Sequence, residues 1–344
     1  MLKLRPLEQG EESLWEQINL ASPMGTFLTS IFWMSFSAEY KGIGVDAYFI
    51  VDQSNKPVGI IPIEISNRRF SKVGFSNYSP VLLSESMIPE ALIAIRAYFA
   101  SYLKENGLFA LRVHPFLKIN TEEAVKMETF TKSLAPSQAR IMWEIDLAKP
   151  EEAIRHAMSS STRNNINKGE RLGLHFEKVV DENGVKEFAA LMSETMSRKS
   201  FVNYGEEYFL KQFQRLGKKG MTEIYLVRKE GRALAGALVN VYKDTAYYTH
   251  GASTSDKELS KLRTPYFLQW NLMTLFKSRG FKKYNMWGVA PQGKKTAISG
   301  VSDFKRSFGG YEVELVNPID FYKGPISKLR QRLYDSFIYR NDRF

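Results

Sequence analysis

Residues 225–236 read Tyr-Leu-Val-Arg-Lys-Glu-Gly-Arg-Ala-Leu-Ala-Gly. An apolar run, a polar turn with glycine and a second apolar run form the pattern of a strand–turn–strand hairpin. Residues 49–59, Phe-Ile-Val-Asp-Gln-Ser-Asn-Lys-Pro-Val-Gly, repeat it and run on into Ile60 and Ile61. The closing glycines, Gly59 and Gly236, lie about 175 positions apart. Outward from each hairpin the landmarks recur in one order. A strand-like piece follows at 75–81 and again at 246–252. Next comes a helical pattern. Over 90–106 it puts Leu92, Ile95, Phe99 and Leu103 on one face and stops at Gly107. Over 265–279 it puts Leu268, Leu272, Leu275 and Phe276 on one face and stops at Gly280. Strands resume at 108–113 and 281–287. The spacing predicts two copies of one mixed α/β unit, far too long a period for a solenoid.

The join falls near residue 147. Ile141 to Leu147 reads as a strand closing the first unit, and Pro150-Glu-Glu opens a helix with acids in its first turn. Tyr311 to Leu315 gives the last strand signal of the second unit. From Pro325 onward, Ile326, Leu329, Leu333 and Phe337 share a helical face, with Lys328, Arg330 and Arg332 between them. Such a stripe has to be covered, and packing on the protein is the expectation, with a membrane surface as the alternative.

Composition limits the function. Phe, Tyr and Trp number 23, 17 and 5 in 344 residues, which excludes a largely disordered chain. Cysteine is absent, so disulfides, thiolate nucleophiles and cysteine-ligated metals are excluded. No apolar run reaches the length of a spanning helix, and the first residues lack the apolar core of a signal peptide, so a cytoplasmic protein is expected. The net charge of +11 is unevenly placed. Residues 1–147 carry 14 basic and 16 acidic side chains, and residues 148–344 carry 34 and 21. A basic field of this kind draws polyanions.

Several catalytic patterns are missing. His114, His156, His175 and His250 include no i,i+4 pair, so a helical zinc site is not expected. Gly-x-Ser-x-Gly does not occur. Gly42-Ile-Gly44 lacks the third glycine of a dinucleotide loop. Gly288 to Lys294 nearly matches a phosphate-binding loop, but Lys295 stands where Ser or Thr must hold magnesium. No metal and no cofactor are expected.

The densest signals lie between 246 and 310: Tyr247-Tyr-Thr-His-Gly-Ala-Ser253, Pro265-Tyr-Phe-Leu-Gln-Trp270, Gly280-Phe-Lys-Lys-Tyr-Asn-Met-Trp-Gly288 and Gly300-Val-Ser-Asp-Phe-Lys-Arg-Ser-Phe-Gly-Gly310. In this order they resemble the second domain of the FemABX family, aminoacyl-tRNA-dependent transferases that build the side-chain bridges of bacterial peptidoglycan. Thr26-Phe-Leu-Thr-Ser with Trp33, Ser79-Pro-Val81 and Leu111-Arg-Val-His-Pro115 resemble the first domain, and Arg163 to Gly173 the helix opening the second. The resemblance implies an α/β fold of two tandem GNAT-like acyltransferase domains. Domain 1 would span 1–147 plus a returning 318–344, and domain 2 would span 148–317. No sustained heptads occur, so the coiled-coil arm of some members is not expected.

The resemblance also implies the chemistry. A peptide side-chain amine attacks an aminoacyl ester, so the protein supplies no nucleophile. It must provide proximity and stabilise a tetrahedral oxyanion. Lys305 falls on the family's reacting-centre lysine, and Phe304 would offer its backbone carbonyl to the amine. Tyr208 matches a precursor-binding position, and His250 stands where a relative has Tyr. Trp33 and Tyr204 are further substrate-binding candidates, with departures: Trp33 is followed by Met34 where some relatives have lysine, and Tyr204 replaces a relative's arginine. These leave a lipid-linked and a nucleotide (UDP)-linked precursor both open. The aminoacyl-tRNA would meet two basic clusters: Arg163, Lys168 and Arg171, then Lys211, Arg215, Lys218 and Lys219. A monomer is implied. Two rivals remain. One is acyl-CoA-dependent N-acyl transfer, which wants a glycine-rich diphosphate loop that neither half contains. The other is a non-catalytic polyanion-binding module.

Overall fold

A computed structural model describes residues 1–68, 71–133, 137–199, 204–294 and 296–339. The chain forms two compact units, one of residues 1–140 with 314–344 and the other of residues 141–313.

The first unit is built on a sheet whose strands run Lys3–Pro6, Gly44–Val51, Pro57–Arg68, Ser71–Asn77, Ala110–His114 and Ile319–Tyr322 across its width. Neighbours are antiparallel except Ser71–Asn77 with Ala110–His114, which are parallel. A parallel pair needs a crossover, and the Ile88–Glu105 helix supplies it. The predicted stripe of that helix is its buried face: Leu92, Ile95, Phe99 and Leu103 are all at most 1% exposed.

The second unit repeats the plan. Its sheet runs Tyr311–Glu314, Ile141–Asp146, Lys283–Gly288, Thr245–Ser253, Arg232–Tyr242, Thr222–Lys229 and His175–Lys178. Thr245–Ser253 and Lys283–Gly288 are the parallel pair, crossed by the Thr264–Ser278 helix. Leu268, Leu272 and Phe276 of that helix are buried, and Leu275 is partly so. The glycines that set the repeat allow close approach in both hairpins. A Cβ on Gly59 would lie 2.4 Å from Leu82, and one on Gly236 would lie 2.7 Å from Phe188.

The boundary differs from the expected 147/148. Ile141–Asp146 does not close the first sheet; it lies between Lys283–Gly288 and Tyr311–Glu314 in the second. The position it would have filled, antiparallel to Ala110–His114, is taken by Ile319–Tyr322 from the far end of the chain. Both segments have strand patterning, and only long-range pairing decides which sheet each joins.

The Pro325–Tyr339 helix overturns the expectation for the tail. Ile326, Leu329 and Leu333 are 75%, 61% and 62% exposed, while Ser327, Gln331 and Asp335 are buried. The Phe337 side chain and residues 340–344 lie outside the described residues. An ionic network holds the polar face inward. Arg112 donates from Nε and Nη2 to the two oxygens of Asp320 at 2.7 and 2.9 Å, and from Nη2 to Asp335 at 2.5 Å. Gln331 and Tyr322 donate to the same two carboxylates. Buried charges need this degree of pairing, and here the pairing sets which face of the helix turns in.

Candidate active site

The second unit contains a cavity of about 480 Å³. Its walls are the Thr245–Ser253 strand, the start of the Thr264–Ser278 helix, the Ser299–Arg306 helix and part of the Glu182–Lys199 helix.

The strand wall owes its shape to a bulge. Leu238 pairs with His250 and Val239 with Tyr248, which leaves Thr249 as the extra residue. A bulge bends the strand and re-aims its side chains. Thr249 and His250 both line the cavity. The bulge is held from behind: Asn240 Nδ2 donates to Thr249 Oγ1 at 3.0 Å, and Asn240 Oδ1 accepts from Gln212 and Thr222 at 2.9 and 2.7 Å. Gln212 sits on the Glu206–Leu216 helix, which also carries Tyr208. Gly251 makes room for Tyr248, since a Cβ there would lie 1.6 Å from the Tyr248 hydroxyl oxygen.

Three of the predicted residues form one aromatic cluster. Tyr204 stacks on Tyr208 with ring centroids 4.2 Å apart. His250 meets both rings edge-on, at 5.5 and 5.9 Å. Tyr204 and His250 line the cavity, and buried Tyr208 backs them. Burial pushes the His250 imidazole down to about 4, so it is neutral at pH 7.

Lys305 and Phe304 line the same cavity. Lys305 is only 7% exposed, and its Nζ donates to the Gly288 carbonyl at 2.6 Å. This bond ties the Ser299–Arg306 helix to the end of the Lys283–Gly288 strand. No carboxylate lines the cavity among the described residues. The Phe304 ring packs edge-on to Tyr266 and Phe308, each at 5.1 Å. Its carbonyl already accepts from the Ser307 hydroxyl at 2.7 Å, and that hydroxyl accepts from Thr162 at 2.8 Å. The glycines of Phe308-Gly-Gly310 explain the motif. Both have positive φ, and a Cβ would lie 2.7 Å from the Ala157 carbonyl oxygen at Gly309 or 2.3 Å from that of Glu144 at Gly310.

The remaining candidates separate. Trp33 belongs to the first unit, where it packs edge-on to Phe27 and Phe36 at 4.9 and 5.5 Å. Arg163 donates to the His156 and Met158 carbonyls, and Lys168 to that of Lys261 at 2.9 Å, so both bind the protein's own backbone. Lys211 pairs with Glu207 at 2.8 Å. Arg171, Arg215, Lys218 and Lys219 are exposed. Lys295, the residue that spoils the phosphate-loop pattern, lies outside the described residues. Among the described residues no group of three His, Cys, Asp or Glu is placed to hold a metal ion. No helix is long and apolar enough to cross a membrane among the described residues.

The residue patterns alone gave no role to Arg263, Tyr266, Thr195 or Thr249, all of which line the cavity. Pro265 marked the helix start. Nothing local announced that Arg263 takes a left-handed conformation there, with φ 57°, or that Thr249 is a bulge.

Two mixed sheets in tandem, each with a helix-crossed parallel pair, match a tandem GNAT protein from the clavulanic acid biosynthesis pathway. The TM-score is 0.58 at 10% identity, covering 94% of this chain and 99% of that one. The fold is therefore the tandem GNAT-like acyltransferase fold. FemX is similar over 95% of this chain and 100% of its own, with a TM-score of 0.81 and 16% identity. L-PGS from Bacillus licheniformis gives a TM-score of 0.51 at 14% identity, over 87% and 95% of the two chains. No curated protein matches the chain. The FemAB family model matches residues 121–228 and 215–335, more than half of the chain, and the chain belongs to the FemAB family.

Proposed function

We propose that this FemAB-family acyltransferase moves an aminoacyl group from aminoacyl-tRNA to a side-chain amine of a peptidoglycan precursor. The carrying observation is Lys305, a cation on the Phe-Lys-x-x-Phe-Gly-Gly segment, in the wall of a cavity that no carboxylate lines among the described residues. In the reaction the amine forms the C–N bond, the ester C–O bond breaks, and the amine proton goes to the departing ribose oxygen. Negative charge develops on the former carbonyl oxygen, where the Lys305 ammonium stabilises it. A single preorganised donor of this kind contributes about 10²–10³ in rate.

The other groups orient. Tyr204 and neutral His250 present hydrogen-bonding edges to the precursor, held by Tyr208 behind them. The Phe304 carbonyl has one lone pair engaged by Ser307 and offers the other to the incoming amine. Exposed Arg171, Arg215, Lys218 and Lys219 supply phosphate contacts for the tRNA, which also sets the reaction in the cytoplasm. Acyl-CoA is the weaker donor reading, because the stretch leading to the Thr264–Ser278 helix, Ser253 to Arg263, contains no glycine to admit a diphosphate.

The test is transfer of labelled amino acid from a charged total tRNA pool to lipid-linked and nucleotide-linked muropeptides. Ribonuclease-sensitive label in either acceptor is expected. Transfer from acetyl-CoA with none from tRNA would overturn the reading.

A further inference from the structure

The Pro325–Tyr339 helix turns its polar side to the protein and its apolar side to solvent. At 100° per residue, Ser327, Gln331 and Asp335 form one line, and all three are buried. The opposite line, Ile326, Leu329 and Leu333, is 61–75% exposed. The arrangement is fixed rather than accidental, because Asp335 is bonded by buried Arg112 and by Gln331. Rotating the stripe inward would strip a buried carboxylate of its partners.

The charges around the stripe identify what covers it. Lys328 and Arg332 border one side, and both are exposed. Arg330 borders the other, its guanidinium over the Phe109 ring at 4.9 Å. Exposed Lys323 stands just before the helix. The helix has one acid, Asp335, and that one faces inward. The outward face is therefore an aliphatic ridge between cations, to which the residues of the described helix add no anion. Three exposed aliphatic side chains make a small patch against the roughly 800 Å² per partner of a stable protein interface. An anionic lipid surface needs less: a shallow apolar wedge, with basic side chains attracted to the headgroup phosphates. We propose that this helix docks the protein onto anionic phospholipid bilayers, with Ile326, Leu329 and Leu333 entering the acyl boundary and the flanking cations at the phosphates. The inference does not depend on the donor or acceptor of the transfer reaction.

The experiment is co-sedimentation of the full chain with vesicles of phosphatidylcholine alone or with about a third phosphatidylglycerol. Two variants accompany the wild type: Ile326→Ser with Leu329→Ser and Leu333→Ser, and Lys328→Glu with Arg332→Glu. All five side chains point away from the Arg112 network, so unchanged melting is expected and serves as the folding control. The wild type is expected to pellet with anionic vesicles, and at least about tenfold less with neutral ones or in 0.5 M salt. Each variant is expected to weaken binding by at least about tenfold. In a Leu333→Trp protein, tryptophan emission is expected to shift to the blue on adding anionic vesicles. Wild type remaining in the supernatant, or a triple serine variant that binds as well, would overturn the proposal. So would a concentration-dependent dimer that the triple variant abolishes, which would assign the ridge to a second copy.

Discussion

Arg112→Met tests the network that orients the C-terminal helix. The guanidinium is 1% exposed as a residue and makes three bonds to two buried carboxylates, Asp320 and Asp335. Burial already holds the Asp335 carboxyl above the usual carboxylate range, with the Arg112 bond opposing that rise. Removing the cation leaves two carboxyls facing each other in the interior. Breaking a buried pair on one side destabilises by about 3–5 kcal/mol. For a unit of this size each kcal/mol shifts Tm by roughly 2–4 °C, so a fall of about 10 °C is expected in the first unit's transition. The companion variant combines Arg112→Met with Asp320→Asn and Asp335→Asn. The amides keep acceptor oxygens for Tyr322 and Gln331. With no buried charge left, it is expected to lie within about 1–2 kcal/mol of wild type. Calorimetry reads both, with urea unfolding as the check. An Arg112→Met loss under 1 kcal/mol, or a triple variant as unstable as the single one, would refute the reasoning.

Acid should weaken the first unit through His114. Burial, with Arg140 and Arg112 nearby, pushes its imidazole down to about 3 from an ordinary 6.5. The unfolded chain then binds the proton more readily, so stability is full above pH 6.5 and falls below it, by about 2 kcal/mol at pH 5. His114→Asn should flatten that slope in urea titrations at pH 5 and pH 8. Gly251→Ala should displace the Tyr248 ring from the cavity wall, lowering transfer by about tenfold or more. Unchanged kcat/KM would contradict the built geometry. Arg215→Glu with Lys218→Glu should weaken tRNA binding uniformly across tRNA species and flatten the salt dependence of log Kd. An unaltered salt slope would remove that face from the tRNA path.

Local pattern revealed the repeat because both copies keep their own hairpin, helix stripe and glycine stop. Leu92, Ile95, Phe99 and Leu103 needed only helical period to be placed inward. The domain boundary was hidden because Ile141–Asp146 and Ile319–Tyr322 look alike locally, and their sheets are chosen by pairing with strands about 140 and 210 positions away. The tail helix misled for a related reason. Period located its apolar stripe, but Arg112, more than two hundred residues earlier, decides which face is buried. In the cavity, the FemABX resemblance rather than any local pattern singled out Lys305, Phe304, His250 and Tyr204, and the fold brings all four to its walls. Arg163 and Lys168 read as surface cations, and only the fold shows the backbone carbonyls they bind.

Single-turnover transfer by Lys305→Ala, with donor and acceptor saturating, measures the central claim most directly. Losing the ammonium should slow the chemical step by about 10²–10³ while tRNA affinity stays within a few-fold. A rate within a few-fold of wild type would show that Lys305 only braces the Gly288 carbonyl, and the catalytic reading of the cavity would fail.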